Sequence, residues 1–200
     1  ANGVESVALG SQSAASGNGA VALGADTVAS GSNTIAIGSK GDNFTKASGS
    51  SAIAIGNGAQ TPSNYSVGLG GNVQIDGDTS VGIGDRAATT GRRAVAIGPA
   101  AEARGQKSVA LGDGAGTGFL SRIENGNKRY DFGNNSVAIG GAAKAYSSDS
   151  VVIGDGAESG KMVNKENNTK AFEDSNKTAN SSVVLGKNSK SYADGGTVLG

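Results

Sequence analysis

The chain has 200 residues, of which 36% are hydrophobic but only 4% aromatic, so it can form one or two domains whose core contains few large side chains. Its 17 acidic residues balance its 17 basic residues, which argues against the basic surface typical of a nucleic-acid-binding protein. Cysteine and histidine are absent, which excludes disulfides, cysteine- or histidine-based metal sites and histidine acid–base chemistry.

A five-residue phrase recurs along the whole chain. It consists of a small residue, a β-branched residue, a second small residue, Leu or Ile, and glycine. The phrase closes on Gly10, Gly24, Gly38, Gly56, Gly70, Gly84, Gly98, Gly112, Gly140, Gly154, Gly186 and Gly200. The interval from Gly10 to Gly24 is the most frequent one and defines a 14-residue repeat, and the three longer intervals predict inserts near 39–48, 116–132 and 160–179.

Each repeat predicts two short strands and two turns. The residues before each closing glycine alternate with a period of two, as in a strand, and small residues recur three and five positions after it. A coil of this length can stack on the next through parallel hydrogen bonds at a spacing of about 4.8 Å. The predicted fold is therefore an all-β parallel solenoid that spans residues 1–200.

The alternation also predicts which side chains point inward. We expect the large residues of each phrase to fill the coil, namely Val7, Leu9, Val21, Leu23, Ile35, Ile37, Ile53, Ile55, Val95, Ile97, Val109, Leu111, Val137 and Ile139. The small residue between them would then point outward. Because a solvent-facing strand usually carries polar side chains there, we expect another copy of the chain to pack against Ala8, Ala22, Ala36, Ala96, Ala110 and Ala138.

The phrases SVALG, AVALG, SVGLG, AVAIG and SVVIG at this spacing resemble the head repeats of trimeric autotransporter adhesins, the family typified by the Yersinia adhesin YadA. The resemblance covers the chain apart from the inserts. It implies a homotrimer of left-handed parallel β-rolls, displayed on a coiled-coil stalk at the outer membrane of a Gram-negative bacterium. The stalk, the membrane anchor and a signal peptide are not in this sequence, which we interpret as a head fragment.

The resemblance also implies a function. Such a head attaches the bacterium to host extracellular matrix of the collagen, fibronectin or laminin class, to host cells or to other surfaces, by multivalent binding at the cell surface. It implies no enzymatic activity, no cofactor and no metal. A β-helical enzyme is the main alternative. Hexapeptide-repeat acyltransferases, however, have longer coils of three strands, and the chemistry of that family is similar to catalysis by histidine, which this chain lacks. A passive spacer rod would lack elaborated inserts.

Three other motifs have structural explanations. Residues 82–87 match the dinucleotide-binding fingerprint, but no helix is predicted after them and the repeat itself produces the same letters. Asp76, Asp78 and Asp85 lack the spacing of known calcium loops, so we expect solvated turns. Stacking of Arg92, Arg93, Arg104 and Lys107 would form a basic ridge, which either attracts acidic ligands or pairs with neighbouring carboxylates.

The second and third inserts are the least repetitive segments. The second contains Phe119, Arg122, Arg129, Tyr130 and Phe132, and aromatic and arginine side chains are typical anchors of binding surfaces. We therefore predict ligand contacts there, with packing over the solenoid or over a neighbouring subunit as the alternative. The third insert is polar and charged and is predicted to be an exposed loop.

Overall fold

A computed structural model describes residues 1–39, 43–119, 133–160 and 179–200, together with the strands Arg122–Glu124, Asn127–Arg129, Met162–Asn164 and Lys170–Phe172. The chain divides into two compact units, Ala1–Arg93 and Ala94–Gly200. Regular secondary structure in the described residues is entirely β. Each unit is a parallel β-solenoid of 14-residue coils, as the repeat predicted. The handedness of the coils remains what the family resemblance implies.

Each coil of the first unit contributes one strand of three residues, a long strand, and one strand of two residues, a short strand. The long strands are Val7–Leu9, Val21–Leu23, Ile35–Ile37, Ile53–Ile55, Val67–Leu69 and Val81–Ile83. The short strands are Ala14–Ala15, Val28–Ala29, Lys46–Ala47, Gln60–Thr61, Gln74–Ile75 and Ala88–Thr89. Long strands pair with long strands and short with short, so each coil bridges two parallel sheets.

The second unit repeats this arrangement. Its long strands are Val95–Ile97, Val109–Leu111, Val137–Ile139, Val151–Ile153, Val183–Leu185 and Thr197–Leu199. Its short strands are Glu102–Ala103, Gly116–Thr117, Lys144–Ala145, Glu158–Ser159 and Lys190–Ser191.

The register places the same position of successive repeats directly side by side. Val7 pairs with Val21, and Val95 pairs with Val109, each one repeat further along the chain. The register continues across the longest insert, where Val151 pairs with Val183. Every position of the repeat therefore becomes a column of equivalent side chains within each unit.

The turns explain the abundance of glycine and asparagine. At Gly98, where φ is 127°, a Cβ would lie 2.5 Å from the carbonyl oxygen of Gly112 in the next coil, so only glycine fits. Asparagine and aspartate link successive turns through their side chains. Asn64 Oδ1 accepts the N–H of Ser50 at 2.8 Å, and Asp78 Oδ1 accepts the N–H of Asn64 at 3.0 Å. This ladder gives Asp78 a structural role.

The direction of the side chains in the long strands is opposite to the predicted one. The small central residues are inside, and Ala22, Ala36, Ala96, Ala110 and Ala138 have no exposed surface, while Ala8 in the first coil is partly exposed. The flanking large residues point away from the interior. These are Val7, Leu9, Val21, Leu23, Ile35, Ile37, Ile53, Ile55, Val95, Ile97, Val109, Leu111, Val137 and Ile139, all half-buried or exposed.

The physical reason for this correction is the width of the coil. Two sheets whose facing side chains interdigitate normally lie about 10 Å apart. In this coil there is less room, because even a Cβ added at Gly82 would collide with Ile75 across the interior. The interior therefore accepts mainly Ala, Ser and Thr, and alternation sends Val, Leu and Ile outward. The alanines that we expected between subunits fill the coil itself.

Buried hydroxyl groups complete this narrow interior. Thr34 Oγ1 donates to the carbonyl oxygen of Gly31 at 2.8 Å, and Ser66 Oγ donates to that of Ser63 at 2.7 Å. Both side chains are fully buried. Because each hydroxyl donates a hydrogen bond to a carbonyl oxygen of the turn, burying it carries little desolvation cost. The same hydrogen bond stabilises the turn that precedes the long strand.

Antiparallel strand pairs lie within the second and third inserts. Arg122–Glu124 pairs with Asn127–Arg129, and Met162–Asn164 pairs with Lys170–Phe172. The second pair differs from the loop that we predicted for the third insert. Lys46–Ala47 and Gly116–Thr117, which fall within the predicted limits of the first two inserts, pair as short strands of the solenoid.

Candidate association surface

The outward Val, Leu and Ile residues of the long strands form a continuous apolar surface on each unit, which we call the apolar face. Register pairing aligns them in two columns, so that Val81 lies beside Val67 and Ile83 beside Leu69. Exposure is 37% for Ile55 and 39% for Ile153, although each lies between other coils of its own unit. Contiguous apolar surface of this kind on a soluble protein indicates an association site.

The opposite surface, formed by the outward residues of the short strands, is polar at most positions. We call it the outer face. In the second unit Glu158 and Lys190 are register partners, and Lys190 Nζ lies 3.2 Å from Glu158 Oε2. The hydrogen bond to Glu158 and its negative charge raise the pKa of Lys190. Lys144 Nζ donates to the carbonyl oxygen of Gly114 at 2.5 Å. These groups are therefore satisfied within one chain.

Phe119 and Tyr146 lie beside the outer face of the second unit. Their rings meet edge to face, with centroids 6.3 Å apart and an angle of 80° between the planes. Phe119 is only 1% exposed. Burial, followed by the negative charge of Glu158, raises the pKa of Tyr146. Phe119 thus packs inward, which is the alternative considered for this insert, and it is not a surface anchor.

The other predicted ligand contacts are less well placed. Arg122 and Arg129 are register partners in the hairpin, but their side chains lie outside the described residues. Tyr130 and Phe132 also lie outside them. The structure therefore leaves the predicted ligand contact at these four residues untested.

The predicted basic ridge does not include Arg104. Its guanidinium Nη2 lies 2.5 Å from Glu102 Oε2, at the end of a short strand, and the pair is partly buried. Lys107 lies exposed in the turn before the next long strand, whereas Arg92 and Arg93 are exposed in the first unit. Arg104 therefore follows the second of the two predicted possibilities, pairing with a neighbouring carboxylate, and does not follow the first, attraction of an acidic ligand.

The remaining motifs are parts of the solenoid. Residues 82–87 connect the end of a long strand to the following short strand, and no helix occurs in the described segment 43–119. Among the described residues there is no cluster of three or more acidic side chains that could hold a metal ion. None of them forms a helix with the length and apolarity that a membrane crossing requires.

Comparison with known families agrees with the architecture. The family model described as the YadA head domain repeat, in two copies, matches residues 1–27, 15–40, 47–72, 76–101, 90–115 and 133–157. The matched segments cover more than half of the chain and most of its coils. No curated protein matches the sequence.

Proposed function

The chain belongs to the family of YadA head domains, a family of surface-exposed adhesins, and we propose that it is the head of a trimeric autotransporter adhesin. In this proposal three copies form the head, which attaches a Gram-negative bacterium to extracellular matrix, host cells or other surfaces. The trimer is anchored in the outer membrane through segments outside this sequence.

The apolar face is the observation that carries the proposal. In the described part of each unit it is not covered by other elements, while the charged groups of Lys144, Glu158 and Lys190 on the outer face of the second unit have partners within the chain. Three copies with their long strands turned toward a common axis would bury this face and leave the outer faces in contact with solvent and ligands. The proposed trimer contacts are therefore the Val, Leu and Ile columns, in place of the alanines predicted from the sequence.

A pair of lysine substitutions in one coil tests the assembly. Val81 is on the apolar face and Ala88 is at an outward position of the following short strand. We expect size-exclusion chromatography with light scattering to give three chain masses for the wild type and for Ala88→Lys, and a single chain mass for Val81→Lys. A charge inside the trimer would be desolvated, whereas a charge on the outer face would remain hydrated. A stable wild-type monomer would refute the proposal.

Adhesion follows from multivalency in this proposal. Weak contacts made by three chains, and by many heads on one cell, add to an avidity that can exceed single-site binding by about 10²-fold or more. Collagen, fibronectin, laminin and whole cells are the first ligands to screen. We expect the trimer to be retained on matrix-coated surfaces under flow, and a monomeric Val81→Lys head to wash away.

Deleting residues 119–132 tests the contribution of the second insert. Gly118 and Gly133 lie in contact, so their direct connection restores a 14-residue repeat between Gly112 and Gly140. We expect the deletion variant to remain trimeric and to lose binding to the ligand found in the screen. Unchanged binding would show that the coils, and not this insert, contact the ligand.

A further inference from the structure

Two exposed residues of opposite charge flank one strand of the apolar face. Lys107 lies two residues before the long strand Val109–Leu111, and Asp113 lies two residues after it. Both side chains are exposed, and within the described part of the chain neither has an ion-pair or hydrogen-bond partner. The strand holds them at opposite edges of the face, too far apart to meet within one chain.

We infer that Lys107 of one copy pairs with Asp113 of the next, an inference that rests on the proposed trimer. Around a threefold axis parallel to the stacking direction, the interface is heterologous, so the beginning of each long strand approaches the end of the neighbouring copy's strand. Lys107 and Asp113 each lie two residues from the same strand, so in the trimer the two charges lie at the same height along the stacking direction. Three identical pairs then close the ring around the apolar face.

The strand Val151–Ile153 provides an informative contrast. The same offsets there are occupied by Asp149 and Asp155, which would bring like charges together. Both are neutralised or bonded within the chain. Asp149 Oδ1 accepts a hydrogen bond from Asn135 Nδ2 at 2.9 Å, and Asp155 Oδ2 lies 3.7 Å from Lys187 Nζ. The chain thus supplies internal partners where the trimer would oppose like charges, and leaves Lys107 and Asp113 without them.

The pair fits the alignment that threefold closure requires. A ring of three identical copies closes only when all copies lie at the same level, so each coil faces its own equivalent in the neighbouring copy. In that alignment Lys107 faces Asp113, whereas a displacement by one coil would place Lys107 opposite Pro99 or Gly141, which carry no charge. Complementary charges at the edge of an apolar interface commonly add specificity in this way.

Charge reversal tests the inference in solution. Lys107→Glu places two carboxylates at each edge, and Asp113→Lys places two ammonium groups there. We expect each single variant to raise the dissociation constant of the trimer on the order of tenfold through three exposed pairs, with the difference decreasing at high salt. The double variant Lys107→Glu/Asp113→Lys should return to the wild-type value. Additive losses in the double variant would overturn the inference.

Disulfide trapping tests the geometry independently. The chain contains no cysteine, so Lys107→Cys/Asp113→Cys introduces the only two thiols. A disulfide needs Cα atoms within about 7 Å, which the intervening strand prevents inside one copy. Oxidation should give covalent trimers on a non-reducing gel, whereas the control Lys107→Cys/Asp155→Cys, displaced by two coils or about 9.6 Å, should give none.

The outcomes separate the inference from the proposed function. A trimeric wild type with additive charge variants and no disulfide-linked trimer would refute the pairing and leave the proposed head intact. A monomeric wild type would refute the proposed assembly, and the pairing with it.

Discussion

Ile75 and Gly82 face each other across the narrow interior of the first unit, and their fit predicts a rescue experiment. A Cβ built on Gly82 would collide with Cδ1 of Ile75 and would lie 3.4 Å from Cγ1 of Val73. Gly82→Ala therefore overpacks the coil, at a cost of about 1–3 kcal/mol. Ile75→Val deletes the colliding methyl group and alone costs about 0.5–1.5 kcal/mol. In the double variant the new Cβ occupies the vacated space.

We expect the double variant to be destabilised by less than the sum of the single variants, with a coupling free energy of about 1–2 kcal/mol. Unfolding in guanidinium chloride, followed by circular dichroism at one fixed protein concentration, measures all four states of the cycle. The fixed concentration matters because association and unfolding are linked in the proposed trimer.

Gly68 supplies a matched control. A Cβ there would lie 2.9 Å from Cγ2 of Thr61 and 3.2 Å from Cγ1 of Ile75. Valine retains that Cγ1, so Ile75→Val should not rescue Gly68→Ala. Equal coupling of Ile75→Val with both glycine substitutions, or with neither, would refute the packing argument.

Three further predictions concern the turns and the outer face. Gly98→Ala should destabilise the fold by about 3 kcal/mol or more in denaturant unfolding, because its Cβ would strike the Gly112 carbonyl of the next coil. Thr79, a β-branched residue at φ 58°, should gain about 0.5–1 kcal/mol in the same assay when replaced by Asn, which tolerates this conformation. The pKa of Tyr146 is higher in the folded than in the unfolded state, so the stability that its protonated form contributes is complete below the unfolded pKa near 10 and is lost as the pH rises through the folded pKa. Above pH 10 the melting temperature should therefore fall less steeply for Tyr146→Phe than for the wild type.

Strand positions and turns could be predicted from the sequence because the same pattern of residues recurs in successive repeats. Each closing glycine marks the end of a long strand, and each uninterrupted repeat corresponds to one coil. The strand pair in the second insert has a sequence signal of its own, separate from the repeat. Asn125-Gly126, between Arg122–Glu124 and Asn127–Arg129, is a dipeptide strongly favoured in two-residue hairpin loops.

Alternation alone could not predict which side chains of the long strands point into the coil and which point outward. A period of two shows that Val81 and Gly82 point to opposite sides, but it does not show which side is the interior. The coil with Val73 and Ile75 carried the missing information. Val73 and Ile75, the large residues just before and on its short strand, coincide with glycine in place of alanine at Gly68 and Gly82, as expected if these positions face one another. Size compensation of this kind identifies the interior more reliably than hydrophobicity does.

With the large side chains pointing outward, burial inside the coil contributes less to stability than burial between copies does. The buried positions of the long strands are mainly alanine, and burying a methyl group contributes far less than burying Val, Leu or Ile. The large aliphatic groups become fully buried only when copies associate through the apolar face. In the proposed trimer, folding and association are therefore coupled, and a lysine at Val81 should lower both the oligomeric state and the melting temperature. The matched lysine at Ala88, on the outer face, should change neither, because it removes no apolar contact between copies.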